Sequence, residues 1–358
     1  AESVSAYGGE ELDPPRYGEV FISVKPYNGV YLSSAIKENI KRELKKYSCA
    51  GIITEILDLK YLFVETDSTV YYDTSKAASP DGVKNQIISN IVNYSESSQL
   101  NKFGARFKYS KFLGIIDNSQ ASITSNITHV HMRRDMEPRL NTYTEYEICY
   151  GNRIHVKSED GYNIKSSGFF VNGISDCVYL GDLPGTDLLT GTIFLFKLNS
   201  PTQPVIVKRA IGTIDYKKGE IKLNPLNITS SKINLGATGF TTPLIEISMC
   251  PYSNDVIGLQ DLYLQLDASN TTVTMVPDEI TSGTNTSGSS YKVTSSYANG
   301  GLVRGTPHLT SATFANGNGD SNGTTTTTTA RASTSVSTRT TSTPSTPSTP
   351  STGGGSGY

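Results

Sequence analysis

The sequence predicts an α+β protein: a strand–helix–strand–strand unit written twice, then a β-rich stretch, then a low-complexity tail. Three observations lead there. Near the N-terminus, two-residue apolar alternation gives way to a helical stripe and returns, twice over. Residues 143–280 hold short alternating runs between turn residues and no helical stripe. From about Asn316 the chain is almost only Ser, Thr, Gly, Pro, Asn and Ala. A length of 358 residues fits two or three domains. The expected division is a linker from a missing N-terminal part (1–17), a βαβ-type α+β domain (18–138), a β-rich domain (139–280) and a polar tail (281–358).

In the first unit, Glu19-Val20-Phe21-Ile22-Ser23-Val24-Lys25 alternates as a half-buried strand does, and Pro26, Asn28 and Gly29 end it. Ser33-Ser34 offers a hydroxyl cap to a charged helix. Ile36, Ile40, Leu44 and Tyr47 lie on one face of that helix, the face expected to be buried, with Lys41 on the wet side. After Gly51, Ile52 to Leu59 and Tyr61 to Val64 read as two strands or one bent strand.

The second unit opens with Ser68 to Tyr72 as a strand. Ser79-Pro80-Asp81 is a helix start: a cap, a proline at the first helical position, and an acid facing the dipole. Ile87, Ile88, Ile91 and Val92 are its expected buried stripe. Phe103 to Ile116 suggests a short strand and a short helix, and Gln120 to Arg134 a long strand with Ile123, Ile127, His129 and His131 on one side. The doubled pattern points to an open αβ sandwich of split-βαβ, ferredoxin-like type.

Beyond Pro138, Gly212 to Leu223 reads as a hairpin turning at Lys217-Lys218-Gly219, with Gly219 suited to positive φ. Ile245, Ile247 and Met249 share one strand face, as do Leu262, Leu264 and Leu266, and Val273 with Met275. The end holds six consecutive threonines and a Ser-Thr-Pro triplet repeated three times. It offers almost nothing to a core, so it is expected to be disordered or extended. Deleting Thr324 to Tyr358 is therefore expected to leave the melting temperature nearly unchanged; a drop of many degrees in a thermal melt would contradict this.

The net charge of −2 does not suit a chain that neutralises many phosphates, so no nucleic-acid partner is expected. No run of about 18 apolar residues exists, so no membrane-inserted helix is expected. The chain opens Ala1-Glu2-Ser3 with no basic and then apolar leader pattern, and reads as a cut through a larger protein without a signal peptide. Tryptophan is absent, which excludes tryptophan cages. Cys49, Cys149, Cys177 and Cys250 form no CxxC pair and are expected to be free buried thiols.

No enzyme constellation emerges. His129-Val130-His131 puts two imidazoles on one strand face, but a zinc site needs a third ligand, and only His155 and His308 remain as histidines. Met132-Arg133-Arg134-Asp135 is a charge cluster without a glycine nest, so Arg134 and Asp135 are expected in surface or interface ion pairs. Neither GxGxxG nor GxxxxGK[ST] occurs. No catalytic residue, cofactor or metal is expected.

Several stretches carry a resemblance in order. Tyr7-Gly8-Gly9-Glu10-Glu11 and Pro14-Pro15-Arg16-Tyr17-Gly18 run into Val20 to Pro26. Then come Phe103 to Tyr109, Ser110-Lys111-Phe112, Ile115-Ile116-Asp117, Ser122 to Asn126 and Met132-Arg133-Arg134. Ser166-Ser167-Gly168-Phe169, Gly212 to Tyr216, Gly219-Glu220-Ile221, Leu226 to Thr229 and Pro251 to Ile257 follow. Together they resemble the C-terminal half of the gene-product-six family of baseplate wedge proteins in T-even-type contractile-tailed phages. The first half also resembles the broader baseplate J-like family. The resemblance implies a non-catalytic virion protein of the tail baseplate, assembled in the host cytoplasm. It implies contacts with other baseplate wedge proteins and with a second copy of itself, so that neighbouring wedges join into a ring that rearranges on contraction. Ser166, Ser167, Gly168, Phe169, Phe170, Asn254 and Asp255 are the expected interface residues. The competing reading is a secreted or surface adhesin on a Ser/Thr/Pro stalk.

Overall fold

The computed structural model describes residues 1–12, 14–27, 32–49, 51–77, 79–156, 162–200, 203–235, 242–279, 290–292, 297–302, 304 and 329–331. A small N-terminal unit holds β1 (Ser3–Gly8), a 3-10 turn (Gly9–Glu11), β2 (Glu19–Lys25), α1 (Ser34–Leu44) and β3 (Ile53–Leu57). Next come β4 (Lys60–Tyr72), α2 (Pro80–Ser95), β5 (Arg106–Phe107), α3 (Tyr109–Asp117) and β6 (Ile123–Met136). They are followed by β7 (Tyr143–Cys149), β8 (Lys165–Ser166), β9 (Phe169–Val171), β10 (Tyr179–Pro184), β11 (Thr190–Ser200), β12 (Gln203–Asp215) and β13 (Glu220–Ser231). Then come β14 (Ile233–Leu235), β15 (Thr242–Met249), β16 (Val256–Ile257), β17 (Leu262–Leu266) and β18 (Thr272–Pro277). Four short strands complete the set: β19 (Ser290–Lys292), β20 (Tyr297–Ala298), β21 (Gly301–Leu302) and β22 (Thr329–Arg331). The class is α+β, strand-rich with mixed sheets.

The N-terminal sheet has the order β1-β2-β3. Residues 1–17 are thus more than a linker: β1 runs antiparallel to β2 from Ser3↔Lys25 to Gly8↔Val20, and Tyr7 stacks on Phe21 with ring centroids 5.7 Å apart. β2 and β3 are parallel neighbours joined through α1. A split βαβ needs a strand between its two parallel strands, and none lies there, so the ferredoxin-like order is not what these strands make. Ser33 does cap α1, its hydroxyl accepting from the Ile36 amide at 3.4 Å. The stripe of α1 is not buried, however: Ile40 and Leu44 are half-covered, and Ile36 and Tyr47 are exposed. Three short strands are too narrow to cover it.

The second sheet crosses the expected boundary at 138. Its seven strands run β14-β15-β6-β4-β17, with β18 also on β4 and β8 on β15. β15 pairs antiparallel with β6, and β17 and β18 pair parallel with β4. Strands from the later stretch therefore complete the earlier sheet. The strand expected at Ser68 to Tyr72 is the far end of the continuous β4. Residues opposite each other share a face, so register assigns the two faces. Leu62, Val64, Val70, Val130, Met132, Ile245, Ile247 and Leu264 join the main core with α2 and α3. On α2 the buried residues are Val83, Ile87, Ile91 and Tyr94, while Ile88 faces out at 37% exposure. The opposite face carries Glu65, Asp67, His131, Arg133, Asp135 and Glu246.

A six-stranded antiparallel sheet, β10-β11-β12-β13-β7 with β9 on β13, forms the remaining layer. Its β12–β13 hairpin turns where expected. Asp215 accepts from the amides of Lys217 and Lys218, and Gly219 has φ +76°. A Cβ there would lie 2.1 Å from the Asn152 carbonyl oxygen, so only glycine fits.

Part of the expected tail forms strands. β19 pairs with β22, and β20 pairs with β21. Tyr297 is 5% exposed in an aromatic cluster with Tyr162, Tyr179, Phe194 and Phe196. The reason is a hairpin signal that composition hides, Asn299-Gly300, with both residues at positive φ as a type I′ turn requires. His308 and the remainder of Thr324–Tyr358 lie outside the described residues. All four cysteines are free, but Cys49 and Cys149 are exposed and Cys177 and Cys250 half-buried.

Candidate functional site

Arg133 sits at the centre of a buried cluster of charges on the polar sheet face. Its side chain is 6% exposed. It pairs with Glu65, with Asp135 at 2.9 Å, with Asp267 at 3.3 Å and with Glu246 at 3.7 Å. Its guanidinium carbon also lies 4.4 Å from the Phe63 ring centroid, so the plane is stacked as well as bonded. Arg304 enters from the C-terminal segment and reaches Glu65 and Glu246, each at 3.2 Å. Burial pushes the Glu65 carboxyl up to about 7, against the pull of Arg133 and Arg304. Burial likewise raises Asp135, with Arg133 opposing. Burial works against the Asp267 carboxylate too, but hydrogen bonds from Ser269 and Asn270 hold it below its ordinary value.

Beside this cluster, His131 bonds Asp67 through Nε2 at 3.0 Å and meets the Cys250 sulfur through Nδ1 at 3.4 Å. His129 is exposed two residues away. Among the described residues no three metal-ligating side chains converge. Arg134 and Asp135, expected in surface or interface ion pairs, are half-buried: Asp135 pairs with Arg133, and Arg134 donates to the Cys149 carbonyl at 3.0 Å.

The expected interface residues divide. Ser166, Ser167 and Phe169 are buried within the chain. Ser166 accepts from the Leu180 amide, and Ser167 from the Glu246 amide. Gly168 donates its amide to the Gly300 carbonyl at 2.6 Å, so this stretch seats the chain's own C-terminal hairpin. Phe170 lies under the Lys232 ammonium at 5.2 Å. Asp255 accepts from the first amide of α3, Tyr109, at 2.9 Å and from Lys108 at 2.8 Å. Those bonds, Lys108 first, hold its carboxyl below the ordinary range. Asn254 beside it is exposed.

Among the described residues, exposed apolar surface is concentrated instead in residues 1–57. Val4, Tyr17, Tyr27, Ile36, Tyr47, Ile52 and Ile53 are all exposed there, Tyr47 at 85% and Ile53 at 59%. The same unit buries Tyr7, Phe21, Val24 and Ile56, and none of these belongs to the main core cluster. Tyr17, Ile52 and Ile53 are brought together where the Ile53 amide bonds the Gly18 carbonyl at 2.8 Å. The β1 side rests on the rest of the chain through Ser3, which accepts from the Phe103 amide, and through Lys25 near the Tyr61 and Tyr263 rings. Among the described residues β3 is an edge of the sheet with no strand beyond it.

The structural break between β3 and β4 recurs in the sequence comparisons. Residues 1–57 match the family described as baseplate structural protein gp6, C-terminal domain I, and residues 60–135 match C-terminal domain III of the same protein. Both matched models describe C-terminal parts of gp6. A stretch of 147 residues is 32% identical to the baseplate wedge protein gp6 of Enterobacteria phage T4, covering 41% of this chain and 22% of that protein. The chain thus spans about a fifth of the length of that relative. The gp6 family is one of structural baseplate proteins. The poorly buried β1–β3 unit corresponds to gp6 domain I, and the sheet strands that carry Glu65 and Arg133 to gp6 domain III.

Proposed function

We propose that this chain is a structural, non-catalytic subunit of a phage tail baseplate, and that its domain I unit is the part that binds a second copy. The observation that carries this reading is the imbalance in residues 1–57, where few large side chains are buried and many lie open. A unit of that size is marginal by itself, and a partner surface supplies the missing cover. Tyrosine and isoleucine around a free strand edge suit a subunit contact, because they bury area and leave the edge amides to pair. Joined in this way, copies from neighbouring wedges would form the inter-wedge ring, with other baseplate wedge proteins on its remaining faces.

Sedimentation of the protein over a micromolar concentration range tests the self-contact. The expected result is a monomer–dimer equilibrium that Tyr47→Ser with Ile53→Ser weakens by at least about tenfold, since each buried side chain of this size is worth roughly 1.5–3 kcal/mol. A strictly monomeric protein, or a dimer untouched by both changes, would remove this surface from the contact. The baseplate role is tested separately by electron microscopy of the parent particles with antibody against the chain. Label away from the baseplate would sink it.

A further inference from the structure

Two adjoining features of the body are filled by one short segment. The first is an aromatic cleft, where Tyr297 meets Tyr179 with ring centroids 4.6 Å apart and Phe196 at 5.9 Å. Lys165, fully buried, lies 4.2 Å from the Tyr162 centroid and 5.6 Å from that of Tyr297. The second is the acidic cluster around Arg133, which receives Arg304. Between them the Asn299-Gly300 turn fits tightly. A Cβ on Gly300 would lie 2.5 Å from Lys232 Cγ, and one on Gly168 would lie 3.1 Å from the Gly300 oxygen. We propose that this is a peptide-binding site whose resident ligand is the chain's own Tyr297–Leu302 hairpin together with Arg304, releasable without unfolding the body.

The segment has the parts of a ligand. It is a preformed hairpin, with Tyr297↔Leu302 and Ala298↔Gly301 paired to each other and not to a sheet of the body. It carries an aromatic anchor and an arginine seven positions later, an arrangement typical of residues that dominate recognition. Its arginine matches a charge deficit. Glu65, Asp135, Glu246 and Asp267 face Arg133, so the body supplies four carboxylates to one guanidinium until Arg304 arrives.

Release is coupled to protons. The groups facing Arg304 and its partners are Glu65 from β4, Arg133 and Asp135 from β6, Glu246 from β15 and Asp267 after β17, with the Asp67–His131 pair beside them. Arg304 draws Glu65 downward, so losing that cation, while Arg133 and the sheet still cover the carboxyl, favours its protonated form. The released state then binds the extra proton. Docking is therefore strongest above neutrality and weakens as pH falls through that range.

The test uses the full chain with a protease site placed within residues 281–289, cut after folding. At about pH 8 the C-terminal piece is expected to co-elute with the body, and at about pH 6 to separate more readily. Arg304→Ala is expected to weaken retention at about pH 8 by about tenfold or more, and Arg304→Lys by less. A synthetic Tyr-Ala-Asn-Gly-Gly-Leu-Val-Arg peptide in excess should displace the wild-type piece. Immediate loss of the wild-type piece at both pH values, or retention unaffected by Arg304→Ala, would overturn the proposal. Retention that does not change with pH would remove the role given to Glu65.

Discussion

Arg133→Ala is expected to destabilise the fold by about 3–5 kcal/mol, the cost of leaving buried charge without its partner. The guanidinium is nearly covered and shared among Glu65, Asp135, Asp267 and Glu246, so its loss strands several carboxylates at once. Denaturant unfolding measures this directly, with Arg16→Ala as the contrast. Arg16 is 60% exposed and only 3.6 Å from Glu19, an ion pair worth little. Arg133→Lys should fall between, keeping the charge but losing the fork and the stacking over Phe63. The sign with pH also follows. Glu65 already sits above its ordinary value because of burial, and Arg133 is the first of the charges pulling it down. Without Arg133 it climbs further, and the native variant holds a proton that the unfolded chain has lost. The variant should therefore regain stability as pH is lowered from about 8 to about 5, more steeply than the parent. A loss under about 1 kcal/mol, or a deficit independent of pH, would show that the cluster is not held as described.

How far this cluster was legible in the sequence depends on which residue is considered. Met132-Arg133-Arg134-Asp135 stands out as charged, but a strand shows only alternation, and alternation does not say which face is wet. Glu246 lies between Ile245 and Ile247, the pattern of a solvent-facing position. It is inward because β15 pairs with β6 across more than a hundred residues of chain, a distance that no local pattern reports. The same long-range pairing hid the sheet's true membership, since β17 and β18 join β4 in parallel from the far end of the chain. Local chemistry was readable. The Ser33 and Ser79 caps and the Gly219 turn are short-range geometry, and they are where the residues place them. The Asn299-Gly300 hairpin was equally local, but its polar surroundings masked it.

The two helices of the repeated pattern separate sharply under one substitution. Ile87→Asp is expected to cost at least about 4 kcal/mol, whereas Ile40→Asp should cost roughly 1 kcal/mol. By stripe alone the two positions are equivalent, each an isoleucine in line with others along one helical face. Their settings differ. Ile87 has no exposed surface and belongs to the main cluster with Val64, Val70, Phe112 and Val130, so an aspartate there has neither water nor a cation to face. Ile40 is half-covered on α1, above a sheet of three strands, and a carboxylate can turn to solvent. Lys41 beside it already leans onto that sheet, paired with Glu55 at 2.9 Å, so the helix is held in part by charge. Denaturant midpoints of the two variants decide the matter. The small effect at Ile40 is expected only for the free subunit. If α1 is covered by a second copy, Ile40→Asp should weaken the dimer well beyond its effect on folding, and sedimentation of the same variant reads that out. Equal unfolding costs at both positions would mean that α1 packs as deeply as α2, leaving the domain I unit no open face to offer a partner.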